Sequence, residues 1–197
     1  MSKRGRKKGA SGEQSRKRLL EIAAEEFAEN GYYATKISTI VARAGLSQPT
    51  FYLYFEGKEE VFTELVRWFR TELENLIANS RLESGLTHTL FPDRIKEKLT
   101  TIFWFFRENP HLTKIGLFVT AEADELKQQL SKQIATNLIA EQQDGYFRSD
   151  IDMEVVAESI MGIMERLTMT KLLHGLNTPE ELTETIVNLL VYGLHCH

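Results

Sequence analysis

Apolar positions recur at helical spacing along almost the whole chain, and no segment shows a convincing two-residue strand alternation. Leu19, Leu20, Ala23, Ala24 and Phe27 form the first stripe, over 13–29, and Asn30-Gly31 stops it. Ile37, Ile40, Val41 and Ala44 form a second stripe, with Thr35 placed to cap it. Gly45 follows the last apolar position and can end that helix at positive φ without strain. Leu46 then plugs the corner. Ser47 is an N-cap for a helix over 48–54, and Pro49 lies in its first turn, where a missing N–H is harmless. Phe51 and Phe55, four apart, can both face inward. Gln48, Pro49, Thr50, Tyr52, Leu53 and Tyr54 are then left on or near the outer side.

The rest of the chain continues as helix. A long one starts near Lys58 and reaches about Ser80 through Val61, Phe62, Leu65, Phe69, Leu73, Leu76 and Ile77. Ser84-Gly85 is a break. Pro92 opens a helix to about Glu108, closed by Asn109-Pro110, and others follow over roughly 111–120 and 123–143. Ser149-Asp150-Ile151-Asp152 starts a helix that reaches Leu173. Thr178-Pro179-Glu180-Glu181 supplies a cap, a proline at the first helical position and first-turn acids, so a last helix runs to about His195. The expected fold is all-α, with about nine helices.

Two short helices joined by a tight glycine turn form a helix-turn-helix, which lays its second helix in a DNA major groove. Two tyrosines, a leucine and a proline exposed within eight residues also call for a covering partner. Charge agrees. Residues 1–18 hold eight basic side chains and one acid, net +7, on a chain whose total is −4. This suggests a basic arm for nucleic acid on an acidic body. Residues 1–12 read as an unstructured basic arm, 13–57 as a helix-turn-helix domain and 58–197 as an effector-binding and dimerisation domain.

Composition narrows the alternatives. At 42% hydrophobic and 26% charged, 197 residues can bury a substantial core. No apolar run approaches the roughly 18 residues of a membrane helix, and Met1 leads into a basic stretch with no apolar signal region. The lone Cys196 excludes an internal disulfide and fits a reducing cytosol, so a cytoplasmic protein is expected. There is no glycine-rich phosphate loop, zinc-type cysteine pair or Gly-x-Ser-x-Gly, so no enzyme, cofactor or metal is expected. The His195-Cys196-His197 end has ligand atoms but no rigid geometry.

Residues 16–62 resemble the DNA-binding domain of the TetR family of bacterial transcriptional regulators. The resemblance rests on Ala-Glu-Asn-Gly-Tyr at 28–32, Ala-Gly-Leu-Ser at 44–47, Thr-Phe-Tyr at 50–52 and Phe-Glu-Gly-Lys-Glu-Glu at 55–60. It implies a homodimeric repressor on a palindromic operator in double-stranded DNA, released by a small effector. It also implies that Gln48 and Pro49 lie nearest the base edges, glutamine pairing with adenine and proline touching a thymine methyl. Thr50, Tyr52, Leu53 and Tyr54 then share base and phosphate contacts, and Lys58 and Thr35 hold phosphates from either side. Ser38, beside Thr39, stands where some members carry a guanine-reading arginine. Lys36 and Arg43 read as phosphate neighbours or solvated charges.

In the larger domain, Trp68, Phe69, Phe103, Trp104, Phe105 and Phe118, with Met161 and Met164, are the candidate walls of a site for a small hydrophobic or aromatic effector. Val156, Ile160, Ile163 and Leu167 on one helix, with Leu182, Ile186, Leu189 and Leu190 on the next, read as a four-helix dimer seam. The alternative is a constitutive DNA-binding dimer with no effector.

Overall fold

The computed structural model describes residues 8–87 and 89–193, with side chains from residue 12 onward; the first seven residues, His88 and the last four lie outside it. The basic run Lys3–Lys7 and the His-Cys-His end therefore lie outside the described residues.

Among the described residues nine α-helices follow one another: α1 (Lys8–Asn30), α2 (Ile37–Ala44), α3 (Gln48–Phe51), α4 (Lys58–Ala78), α5 (Phe91–Glu108), α6 (Pro110–Lys114), α7 (Ala123–Gln143), α8 (Met153–Leu167) and α9 (Pro179–Val187). Single π-turns continue α6, α8 and α9, over Ile115–Val119, Thr168–Leu172 and Asn188–Tyr192. No strand occurs among the described residues. All four prolines stand in the first turn of a helix, at Pro49, Pro92, Pro110 and Pro179, where the absent N–H costs nothing.

Three features of the local reading change. The helix expected over 48–54 is a single turn, Gln48–Phe51, followed by turn residues 52–54. α1 begins at Lys8 rather than 13, because extending an existing helix needs only one further hydrogen bond per residue, even through Gly9 and Gly12. α2 is capped by Lys36 without a side-chain bond, not by Thr35. The Thr35 hydroxyl instead donates to the carbonyls of Gly31 at 2.8 Å and Glu26 at 3.1 Å, which closes the α1–α2 turn.

The chain divides into two compact units, Met1–Phe69 and Arg70–His197, with the division inside α4 rather than at 57/58. In the first unit, Phe27 is wholly buried and meets Phe62 edge-on at 5.1 Å, while Tyr32 closes the cluster at 5.0 Å from Phe62. In the second, α9 lies against α5. Lys96 pairs with Glu184 at 2.5 Å, and Trp104 Nε1 donates to Glu180 at 2.7 Å, four residues earlier on the same helix. α7 packs on α8, where Ser131 donates to Glu158 and Lys127 reaches Glu165.

Candidate nucleic-acid interface and effector cavity

The α2–α3 corner is built from backbone chemistry. Gly45 takes φ 69°, and its N–H donates to Ala42 O at 3.1 Å while Leu46 N–H donates to Val41 O at 2.8 Å. This pair of bonds satisfies carbonyls that the end of a helix leaves open. Ser47 Oγ then accepts the Thr50 N–H and lies 2.8 Å from the Thr50 hydroxyl. Such a cap contributes about 1 kcal/mol. α3 is one turn of helix, held from inside by Phe51 and Phe55, both buried, with rings 5.5 Å apart. The Arg16 guanidinium stands 4.9 Å from the Phe55 ring centre and pairs with Glu64 at 2.6 Å.

That arrangement leaves Gln48 and Pro49 exposed, Tyr52 56% exposed and Leu53 78% exposed. Ser38 and Thr39 on α2 are also exposed, and Thr50 on α3 is half-buried. Tyr54 is half-buried, and its hydroxyl lies 3.3 Å from where a Cβ on Gly12 would stand, so it sits under α1.

Two residues expected at phosphates have other work. Thr35 is buried, and its hydroxyl proton is committed to the turn carbonyls. Lys58 Nζ donates to the carbonyls of Tyr32 at 2.7 Å, Tyr33 at 3.2 Å and Thr35 at 2.9 Å, and stands 4.6 Å from the Tyr32 ring centre. An ammonium has three donors, so all are used. Lys58 is therefore a clamp on the α1–α2 turn here. Burial is the main cause that raises the Tyr32 phenol above its ordinary value, with Glu59 adding to it. Arg43 is likewise tied to α1, through Glu26 at 2.7 Å and Glu25 at 2.5 Å. Tyr33 is 93% exposed shortly before α2, in the turn that follows Gly31.

The larger unit contains a cavity of about 370 Å³ between α4, α5, α7, α8 and the chain around 146–151. Its apolar wall includes Ile77, Leu82, Phe91, Ile95, Leu99, Ile102, Ile134, Leu138, Phe147, Ile151, Met153 and Met164. Phe91 stacks on Tyr146 at 5.5 Å and meets Phe147 at 5.4 Å, which fixes that side of the opening. Of the aromatic and methionine residues expected there, only Met164 lines it. Phe103 is wholly buried in packing, Met161 is buried elsewhere, and Phe105 and Phe118 are half-buried off the wall. Trp104 is 39% exposed with its indole N–H on Glu180, and Trp68 and Phe69 belong to the first unit.

Six polar side chains reach the cavity: Ser80, Lys98, Asn137, Glu141, Tyr146 and Arg148. Glu141 is 4% exposed and accepts the Leu82 backbone N–H at 2.8 Å. Burial pushes its carboxyl above the usual carboxylate range, against the Leu82 bond and the Arg81 charge. Its signal in sequence was a charge on the buried stripe of α7 that runs Leu130, Ile134, Asn137, Glu141.

The expected seam also changes. Leu182 and Ile186 are buried within the protomer on α9, which packs on α5, and Val156, Ile160 and Leu190 line the cavity. Ile163 and Leu167 are not wholly buried. The large apolar side chains left outward from α8 onward are Val155, Met169, Leu176, Leu189, Leu190 and Tyr192 among the described residues.

Comparison with known proteins agrees with this architecture. Residues 19–65 match the bacterial regulatory proteins of the tetR family. Over 185 residues the chain is 44% identical to an uncharacterized HTH-type transcriptional regulator, YdgC, of Bacillus subtilis (strain 168), covering 94% of this chain and 95% of that one. It is 24% identical over 190 residues to the fatty acid metabolism regulator protein of the same organism, covering 90% and 94%. The solved structure of the TetR family transcriptional regulator PfmR from Thermus thermophilus has the same fold, with a TM-score of 0.72 at 21% identity over 91% of this chain and 100% of that one. No described helix is long and apolar enough to cross a membrane. The chain belongs to the TetR family of bacterial transcriptional regulators, which act by binding DNA and not as enzymes.

Proposed function

We propose that this protein is an effector-responsive repressor that binds a palindromic operator as a homodimer and leaves it when a small apolar molecule fills the cavity. The cavity carries the reading: some 370 Å³ with a mostly aliphatic and aromatic wall is the size and character of a small-molecule site. The α3 surface supports the DNA half. Its exposed glutamine can present amide donor and acceptor to an adenine edge, and Pro49 can meet a thymine methyl. Dimerisation through outward apolar residues of α8 and of the π-turn that continues α9, Val155, Leu189 and Tyr192 among them, supplies the twofold symmetry that a palindrome requires. The name of the Bacillus subtilis fatty acid metabolism regulator favours an effector with an alkyl chain.

The effector acts only through its differential affinity for two dimer arrangements, one with recognition helices spaced for successive major grooves and one without. A hundredfold difference supplies about 2.7 kcal/mol. The test is to select operator fragments with the pure protein, then add apolar compounds and follow melting temperature and DNA release together. Compounds that raise the melting temperature and release DNA support the reading. Tight operator binding that no compound weakens makes the protein a constitutive DNA-binding dimer.

A further inference from the structure

We propose that the basic residues ahead of Gly12 form a second DNA-binding element, which lies in the minor groove beside the major groove taken by α3. The inference rests on the reading that α3 enters the major groove of an operator. It starts from how α1 is held. Gly12 and Arg16, four residues apart, share one face of that helix. The Arg16 guanidinium stands 4.9 Å from the Phe55 ring centre, and a Cβ on Gly12 would lie 3.3 Å from the Tyr54 hydroxyl. Followed backwards, α1 therefore passes Phe55 and then Tyr54, the neighbour of the outward Leu53 and Tyr52. Its first residue, Lys8, lies about 6 Å further on, at about 1.5 Å of rise per residue. The chain ahead of Lys8 thus departs from beside the DNA-facing residues.

Charge identifies the partner. Residues 1–11 hold Lys3, Arg4, Arg6, Lys7 and Lys8, no acid, and after Met1 no apolar side chain larger than alanine. Cations spaced by glycine and serine suit the minor groove, which is about 6 Å wide and draws Lys and Arg where its negative potential is concentrated. Seven extended residues span at most about 25 Å, or about seven base pairs at roughly 3.4 Å each. A rival surface exists in the same unit, where Glu56, Glu59, Glu60 and Glu64 border a hollow at the start of α4. Two of those acids are engaged: Glu64 pairs with Arg16, and Glu60 accepts the Glu56 N–H at 2.6 Å. Duplex DNA presents a charge about every 1.7 Å and releases counterions when it is neutralised, so it is the stronger partner.

The experiment uses the full chain, a chain lacking residues 1–7, and operator fragments selected by the full chain. The truncation removes Lys3, Arg4, Arg6 and Lys7 and none of the described fold, so the melting temperature should not change. The truncated chain should keep the base preference set by Gln48. Its log–log salt slope should fall by up to about 3.6 per subunit, at about 0.9 per cation, and its affinity at least about tenfold near 0.1 M salt. An iron chelate that cleaves DNA, attached through Ser2→Cys in a Cys196→Ser chain, locates the arm. Cuts confined to the minor groove within about seven base pairs of the pair that Gln48→Ala relaxes support the proposal. An unchanged slope, or cuts scattered along the fragment, overturns it and leaves the operator reading standing. Truncation that tightens binding also overturns it, since the arm then sits on the acids of its own chain. If the full chain selects no palindromic fragment, the operator reading falls and the proposal with it.

Discussion

The ammonium of Lys58 lies 2.7 Å from the carbonyl oxygen of Tyr32 and 4.6 Å from the centre of the same residue's ring. One side chain from the start of α4 therefore holds both backbone and ring of the turn that leads into α2. Replacing Lys58 by Met should lower stability by about 1–3 kcal/mol, since three carbonyls lose a charged donor. Operator binding should weaken for all sequences alike. The salt dependence decides the mechanism: a clamp leaves the log–log slope unchanged, whereas a lost phosphate contact reduces it by about 1.

Gln48 is exposed on a helix whose inner side is pinned, so its loss should not disturb the fold. Gln48→Ala is expected to relax preference at one base pair per half-site, at about 1–3 kcal/mol for the best sequence. Selection of DNA fragments by wild type and variant measures this directly. Identical base profiles would remove Gln48 from base readout.

Outward and inward apolar residues of the last helical segment should behave differently. Leu189 is outward in the protomer, so Leu189→Glu should yield a folded monomer that no longer holds a palindrome. Ile186 is 2% exposed, so Ile186→Asp buries an unpaired charge and should unfold the chain at a cost of several kcal/mol. Sedimentation and thermal melting separate the outcomes. A Leu189→Glu protein that still sediments as a dimer places the seam elsewhere.

The stability of the chain should carry a signature of Glu141. Burial raises its folded-state titration above the ordinary 4.5, so folding takes up a proton between the two values. Stability from this group is full below the ordinary value and is lost as pH rises through the raised one. Glu141→Gln has no such loss, so its melting temperature should gain on wild type with rising pH and converge in acid. A difference that stays constant across pH would show that Glu141 titrates as in water.

Those helix starts that carry a proline or a side-chain cap were legible because their signals are local. Each proline sits where a helix must begin, and Thr178 and Glu181 exchange the two bonds of a capping box that four consecutive residues encode. Gly45 is the same kind of signal. The cavity was not legible, because its walls come from Ile77, Ile102, Ile134 and Met164, which no local pattern brings together. Phe103 and Trp104, expected side by side on the wall, divide instead: Phe103 fills the core with Phe106, Trp104 turns out to Glu180, and the neighbouring Ile102 reaches the cavity. Lys58 and Thr35 mislead for a related reason. Both have side chains suited to phosphate, and in the folded turn both are taken up by carbonyls.

The single turn of α3 separates two kinds of evolutionary change. Phe51 and Phe55 carry its attachment, and truncating either to Ala should cost about 3–5 kcal/mol. Gln48, Pro49 and Leu53 carry little of it, whereas Tyr52 still meets the Phe51 ring edge-on at 5.5 Å; surface substitutions away from packing usually fall within about 0.5 kcal/mol. A lineage can therefore drift through new operator preferences at these outer positions without crossing a stability valley. A library randomised at them alone should be rich in folded proteins that read different DNA.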